Sequence, residues 1–408
     1  MVSYYRYPQR GSSLSFMSHS AAGMMGNRDK ELWVIPQSSD FAGHIRDSLA
    51  QVRLVRNEFY YLLAAGAKGM IYFHYPMMPG TDAWEEFKNL SNTGTKFGPL
   101  VLKLKKAPGK VAVLASYCNA SYHWAEDGGG GLPTDLYHSL LKSHLPVDMV
   151  ADEEVLEDIL ENYKVLILSN VDYLTGSVHQ KIVRFIADGG TVLADKSCEI
   201  QIPGSETMEK TQGEITVSSA ERIKKIIGPF VEINTPHLIV SEFIGNQAKY
   251  LMLVNYSTDK ATSGEVTLKG MTNYYLYDIF AGKEITDHAG TFNVTVEPAG
   301  GRLIGIYPAG IATVSVNGSS TSCRGCDSSF KIRIKGTHGK PIDALFPVRV
   351  SIKTPAGKES EYSDYHVAEN GRLDISFVPA VNDMAGKWEI EAKELSSGKS
   401  SKEYFLLE

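Results

Sequence analysis

The chain has 408 residues, of which 43 % are hydrophobic, and a formal net charge of −6 at pH 7. This length and apolar content predict several domains with substantial cores. The acidic balance excludes nucleic acid and an anionic membrane as main partners, and no run is long and apolar enough to span a bilayer. The first residues, MVSYYRYPQRGSS, lack the apolar core of a signal peptide, so we expect no export signal there.

The first organised region is a strand–helix–strand pattern. Residues 31–37 (ELWVIPQ) are a short apolar run, residues 45–65 are amphipathic, and residues 66–75 (GAKGMIYFHY) are a second apolar run. This order predicts two parallel strands joined by a helix, as at the end of a (β/α)8 barrel, over residues 1–104. Barrel enzymes carry their active sites at the strand ends, which here hold Gln37, His74 and Tyr75.

A doubly wound α/β sheet is predicted for residues 108–230. KKAPGK reads as a linker, and KVAVLASY, KVLILSN and TVLAD have the continuous apolar character of parallel strands. The segments between these strands have helical spacing, among them an acidic amphipathic helix over residues 152–161.

The hydrophobic period then changes to two. Residues 231–309 predict a small antiparallel β domain, and residues 311–408 predict a β-sandwich of immunoglobulin-like spacing. The fold class is therefore multi-domain α/β plus all-β: a partial barrel end, a doubly wound sheet, an antiparallel β domain and a sandwich.

Cysteine chemistry is limited. Cys323 and Cys326 form a CRGC pair without a second ligand pair for zinc, which favours a local disulfide or two free thiols. Cys118 and Cys198 do not sit in a Gly-flanked elbow, so the α/β domain lacks the nucleophile of a glutaminase. No cofactor or metal is expected.

Three stretches resemble glycoside hydrolases of family 42, the microbial β-galactosidases. Residues 53–84 look like the last barrel helix, strand eight and the loop beyond. Residues 110–124 look like the first strand and aromatic loop of the family's amidotransferase-like trimerisation domain. Residues 163–195 look like the later strand, helix and GG turn of that same domain. The resemblance covers residues 1–305, and the final sandwich looks like an accessory module. The resemblance to this family implies a homotrimer and a carbohydrate substrate or ligand.

These enzymes use two carboxylates, an acid/base after strand four and a nucleophile after strand seven. The strand-seven position ends here in the amide Gln37, and strand four would lie upstream of Met1. We therefore expect that this chain alone does not hydrolyse glycosides. By the resemblance, five side chains would contact sugar, namely Tyr7, Gln37, His74, Tyr75 and Trp84. In the alternative interpretation, Trp84 plugs the barrel end and His74 is a satisfied interior histidine.

Two functions remain open. The chain is the C-terminal portion of a β-galactosidase-like hydrolase, or it is a non-enzymatic carbohydrate-binding or assembly protein derived from one. Localisation stays open, although a terminal immunoglobulin-like module is more usual outside the cytoplasm.

Overall fold

The structure, a computed structural model, describes residues 31–36, 48–72, 79–127, 133–285 and 290–408. Within these ranges the protein is a mixed α/β fold with many strands and few helices. This agrees with the broad fold class that the sequence predicts. Within the same ranges, no helix is long and apolar enough to cross a membrane.

The predicted strand–helix–strand unit is present. It consists of β1 (Trp33–Val34), α1 (Ser48–Ala65) and β2 (Gly69–Met70), and the two strands pair in parallel with Trp33 opposite Gly69. Leu62 of α1 is fully buried against Val34, because the apolar side of the helix covers the strand pair.

A long helix follows the strand pair along the chain. Helix α2 (Asp82–Lys103) begins after Thr81, whose hydroxyl oxygen accepts a hydrogen bond from the backbone N–H of Trp84. Its buried residues recur on one face, which packs against α1. A half-buried ion pair from Arg56 Nε to Glu86 Oε1, 2.8 Å long, connects the two helices.

The next layer is a parallel sheet. A short strand, β3 (Lys105–Lys106), precedes it. The strands of the sheet are β4 (Val111–Ala115), β5 (Val147–Ala151), β6 (Val165–Leu168), β7 (Thr191–Asp195) and β8 (Glu206–Met208). Their order in space is β5-β4-β6-β7-β8. Its helices are α3 (Tyr117–Asp127), α4 (Thr134–Lys142), α5 (Asp152–Leu156) and α6 (Gly176–Ala187). A short hairpin and a further helix complete the layer: β9 (Lys210–Thr211), β10 (Glu214–Ile215) and α7 (Val217–Ile227).

Two predictions for this layer are wrong. The aromatic loop expected after the first strand is the helix α3, because Asp152 accepts a hydrogen bond from the Cys118 N–H and stabilises the helix start. The single acidic helix expected over residues 152–161 is α5 followed by a 3-10 turn (Ile159–Asn162). Asp158, at φ 62°, adopts the left-handed conformation that separates the two.

The following strands form two facing antiparallel sheets. They are β11 (Val231–Ile233), β12 (Leu238–Gly245), β13 (Ala248–Asn255), β14 (Thr262–Leu268), β15 (Tyr275–Asp278), β16 (Lys283–Ile285), β17 (Thr291–Val296) and β18 (Gly301–Tyr307). Among the described residues, one sheet has the order β11-β14-β17 and the other β16-β15-β18-β13-β12-β3. The residues predicted as a linker thus supply the edge strand β3, with Lys106 opposite Phe243.

The last strands are hydrogen-bonded into one curled sheet. They are β19 (Ile311–Gly318), β20 (Thr321–Ser322), β21 (Ser328–Gly336), β22 (Leu345–Lys353), β23 (Asp364–Glu369), β24 (Arg372–Phe377), β25 (Gly386–Glu394) and β26 (Ser400–Leu407). The pair Glu369–Arg372 connects its two halves, and the side chains of Phe330, Trp388 and Phe405 are buried between them. The assignment to an immunoglobulin-like module stays a prediction, as do the residue ranges of the four domains.

Gly109 provides a test of this packing. Its N–H donates to Asp148 Oδ2 over 2.7 Å, and a Cβ at this position would lie 2.5 Å from that oxygen. Gly109→Ala should therefore push away a buried carboxylate and lower the free energy of unfolding by about 3 kcal/mol. Urea denaturation of the whole chain measures the change.

Gly176→Ala is the matched control, because a Cβ there meets no atom within 4 Å. Gly176 begins helix α6, so alanine should be neutral or slightly stabilising. Equal stability of the two variants would contradict the proposed role of the Gly109–Asp148 contact.

Candidate functional site

Only one of the predicted sugar-contacting residues lies in the described part of the chain. Trp84 is in the first turn of α2, while Tyr7, Gln37, His74 and Tyr75 lie outside the described residues. The structure therefore leaves the convergence of these five side chains as a prediction.

Trp84 belongs to an aromatic cluster with Tyr72 and Phe87. The rings of Trp84 and Phe87 stack with their centroids 5.5 Å apart and their planes 15° from parallel, and Tyr72 meets Phe87 edge-on at 4.9 Å. The cluster packs against the hydrophobic core between α1 and α2. Trp84 is partly exposed, so the indole packs on the core and also presents surface to solvent, and its contact with sugar stays a prediction.

Beneath this cluster lies a buried carboxyl that sequence reasoning missed. The Glu58 side chain is fully buried, and neither carboxyl oxygen has a hydrogen-bond partner among the described residues. Burial raises its pKa to about 8, so the group is mainly protonated at neutral pH. Burial, reinforced by Glu58, also raises the pKa of Tyr72. Helical spacing in the sequence could have indicated this burial, because Glu58 lies on the same face of α1 as the buried residues Val55 and Leu62.

Trp33 is a second aromatic that the sequence did not single out. Its ring lies so close to Gly69 of the paired strand that a Cβ there would be 2.5 Å from the indole. The side chain is nevertheless 41 % exposed, and its Nε1–H donates to Glu31 Oε2 over 3.2 Å. An exposed indole thus covers the strand pair.

The carboxyl edge of the parallel sheet, where doubly wound folds bind ligands, is occupied by an internal polar network. Lys210 Nζ forms an ion pair with Asp195 Oδ2 at 2.7 Å and donates to Ser169 Oγ at 3.0 Å and to Asn170 Oδ1 at 3.1 Å. A lysine committed to these acceptors cannot also take a proton from Ser169, so the edge does not form a serine–lysine nucleophile.

The thiols near this edge are no better placed for catalysis. Burial raises the pKa of Cys198 to about 11, which keeps the thiol protonated at neutral pH. His123 contacts Asp172 Oδ2 at 2.8 Å rather than a cysteine.

Elsewhere, Cys323 and Cys326 are joined by a disulfide in an exposed turn, one of the two states left open by the sequence. Among the described residues, no group of three or more His, Cys, Asp or Glu side chains is arranged to hold a metal ion.

This combination of layers is found in glycoside hydrolases. Residues covering 75 % of the chain superpose on the β-galactosidase from Bacillus circulans sp. alkalophilus with a TM-score of 0.53 and 15 % identity, and they cover 60 % of that chain. For Gan42B, a GH42 β-galactosidase from G. stearothermophilus, the TM-score is 0.52 at 12 % identity, with 74 % of this chain and 58 % of that chain covered.

A third similar structure is the α-L-fucosidase isoenzyme 2 from Paenibacillus thiaminolyticus, with a TM-score of 0.52, 14 % identity, and coverage of 72 % of this chain and 62 % of that one. The chain thus spans about three fifths of the length of these enzymes. No protein-family model matches the sequence, and no curated protein sequence matches it. The predicted likeness to the family-42 β-galactosidases is confirmed as a likeness of fold.

Glu58 makes the stability of the chain depend on pH. Its pKa is higher in the folded state than the ordinary 4.5 expected after unfolding, so the unfolded chain binds fewer protons in between. Stability should fall as pH rises from about 5 to about 8, by up to about 1.4 kcal/mol per unit. Glu58→Gln should flatten this slope, measured by urea denaturation across the same range.

Glu85→Gln serves as the control, because Glu85 is an exposed carboxylate on α2 that forms an ion pair with Lys88 at 2.7 Å. It should keep the slope of the unmodified chain. A Glu58→Gln variant with an unchanged slope would show that another group controls this pH range.

Proposed function

We propose that this chain is the C-terminal portion of a glycoside hydrolase acting on β-linked carbohydrate, with a β-galactosidase as the nearest type. The observation that carries the proposal is the fold shared with three glycosidases over about three quarters of the chain. The parallel β1–α1–β2 unit, which has the order of a barrel repeat, supports it.

In this proposal the residues of the chain bind and position sugar rather than cleave it. Cleavage needs two carboxyl groups at the glycosidic bond. Gln37 at the proposed nucleophile position is an amide, and Glu58 is enclosed in the helix–strand core, out of reach of a substrate. Trp84 would stack on a sugar ring, while Tyr7, Gln37, His74 and Tyr75 would complete that wall.

The remaining layers would serve assembly. Residues 108–230 would be a trimerisation domain, residues 231–309 a supporting β domain and residues 311–408 an immunoglobulin-like accessory module. The internal polar network at the edge of the parallel sheet supports a structural role for that layer. An exposed disulfide at Cys323 and Cys326 supports an oxidising, extracytoplasmic location, since such bonds persist there.

The second candidate is a non-enzymatic carbohydrate-binding or assembly protein. The aromatic cluster of Trp84, Phe87 and Tyr72 favours it, because aromatic stacking can hold a sugar without catalysis. Binding is common to both candidates, whereas hydrolysis belongs only to the first.

A paired assay separates the two candidates. The chain should release no nitrophenol from a nitrophenyl β-galactoside, because Gln37, at the proposed nucleophile position, is an amide. It should bind β-linked galacto-oligosaccharide, detected by a saturable change in tryptophan fluorescence. Trp84→Ala should weaken this binding about tenfold, as expected for the loss of one stacking face.

Tyr404→Ala is the control for the binding assay, because Tyr404 is an exposed aromatic on β26 and is not part of the Trp84 cluster. It should leave oligosaccharide affinity unchanged. Hydrolysis by this chain would contradict the assignment of Gln37, and equal binding by the Trp84→Ala variant would contradict the stacking role.

The proposed trimer can be tested directly. Light scattering coupled to size-exclusion chromatography should give three times the chain mass of 44.8 kDa. A monomeric mass at high concentration would remove the assembly role from residues 108–230, without affecting the test of sugar binding.

A further inference from the structure

A topological switch point lies in the parallel sheet between β4 and β6. Strand β4 pairs in parallel with β5 on one side, and the chain then returns to place β6 on the other side. Doubly wound folds bind ligands outside the carboxyl ends of the strands at such a point. The polar network around Lys210 follows β6 and β7, whereas helix α3 follows β4 directly.

Four side chains meet at this point, two from α3 and two from the loop after β6. They are Tyr122, His123, Asp172 and Tyr173. The ring centroids of Tyr122 and Tyr173 lie 3.6 Å apart, with the planes tilted by 33°. His123 Nε2 is 2.8 Å from Asp172 Oδ2, and the imidazole centroid is 6.5 Å from that of Tyr173. We call these four residues the switch-point cluster.

A buried amide holds the two halves of the cluster together. Asn119 Oδ1 accepts hydrogen bonds from the backbone N–H groups of Asp172, at 2.8 Å, and of Tyr173, at 3.2 Å. Its Nδ2 donates to the Asn170 carbonyl at 2.7 Å. These bonds tie α3 to the loop after β6, so the relative position of the two tyrosine rings is set before any ligand arrives.

The tyrosine pair is open to solvent although its rings stack. Tyr122 is 41 % exposed and Tyr173 is 37 % exposed. If the pair served only to pack α3 onto the loop, we would expect its rings to be buried, as those of Tyr137 and Tyr163 are in the same layer. Fixed aromatic rings that keep outward surface can receive a ring-shaped ligand by stacking.

His123 adds a hydrogen-bonding group beside the rings. Because the Asp172 carboxylate accepts from Nε2, the neutral imidazole carries its proton there and leaves Nδ1 as an acceptor. Nδ1 has no hydrogen-bond partner in the described part of the chain. Each oxygen of Asp172 already accepts a hydrogen bond, one from His123 and one from the Glu199 N–H at 3.0 Å. The cluster therefore suits a neutral ligand with an apolar face and hydroxyl donors better than it suits a cation.

We propose that the switch-point cluster binds a neutral carbohydrate, as a second site in addition to the one proposed at Trp84. A sugar ring stacks its C–H face on the tyrosine pair, and one of its hydroxyl groups donates to His123 Nδ1. The choice of carbohydrate as the neutral ligand rests on the proposed function, whereas the position of the site rests on the cluster alone. The α/β layer then has a binding role in addition to any assembly role.

Hydrogen–deuterium exchange of the whole 408-residue chain locates the site. The probes are a β-linked galacto-oligosaccharide and, separately, a cello-oligosaccharide, both of which are neutral. Rising sugar concentration should slow exchange, in a saturable manner, in peptides that cover residues 117–123 and 170–175. Slower exchange around Trp84 reports on the first sugar site instead, so the two proposals succeed or fail separately.

Variants test which side chains hold the sugar, with the affinity taken from the concentration that gives half of this protection. Tyr173→Ala should weaken the affinity about tenfold through the loss of a stacking ring, whereas Tyr173→Phe keeps the ring and should retain it. His123→Phe removes the Nδ1 acceptor and should weaken the affinity about fivefold, which decides the question if Tyr173→Ala does not fold. Tyr404→Ala, on β26, should leave the affinity unchanged.

Three results overturn the proposal. The first is exchange at the switch-point cluster that neither sugar slows. The second is an affinity that is the same in the unmodified chain and in the Tyr173→Ala and His123→Phe variants. The third is a Tyr173→Ala variant with a lower oligomeric mass by light scattering, together with no sugar-dependent protection in the unmodified chain, which would identify the cluster as a contact between copies of the chain.

Discussion

The fold depends most on the short segment between α2 and β4, which is fixed by the buried carboxylate of Asp148. As β3, this segment pairs with β12, and the Ala107 N–H donates to the Glu242 carbonyl over 2.8 Å. Two residues later, the Gly109 N–H donates to Asp148 on β5. One extended stretch therefore belongs to the edge of the antiparallel sheet and also borders the parallel sheet, so it connects the α/β layer to the β layers. A side chain at position 109 would separate them.

Much of the fold could be predicted from hydrophobic period. The runs VAVLA and VLIL are buried on both faces and gave parallel strands, whereas alternating runs such as TFNVTV, with every second residue buried, gave antiparallel ones. The failures have local causes. Lys105 and Lys106 carry no strand signal, and their conformation is imposed by pairing with β12. The acidic run contains no glycine or proline to mark its break, which comes from the left-handed backbone of Asp158.

The candidate site was less accessible from the sequence, because period and motif locate strand ends but not the contents of a helix–strand interface. Trp84 was noticed as an aromatic beyond a strand, yet the structure places it at the start of a helix, where its N–H is bonded by the Thr81 cap. Glu58 sits among apolar residues that made α1 look like an ordinary amphipathic helix. Whether its carboxyl has a partner is a property of three-dimensional packing, and no spacing rule reveals it.

Asp148 and Glu58 show how one residue class serves two purposes in this chain. Asp148 is buried with an N–H, a hydroxyl and a nearby ammonium around it, so its charge organises the junction. Glu58 is buried with no hydrogen-bond partner in the part of the chain that the structure describes, so the neutral form is favoured. A glycosidase carboxyl must reach the glycosidic bond and exchange protons there, and neither group is open to a substrate. Both carboxyl groups therefore belong to the packed interior of the described structure, one as a charged anchor and the other as a neutral group.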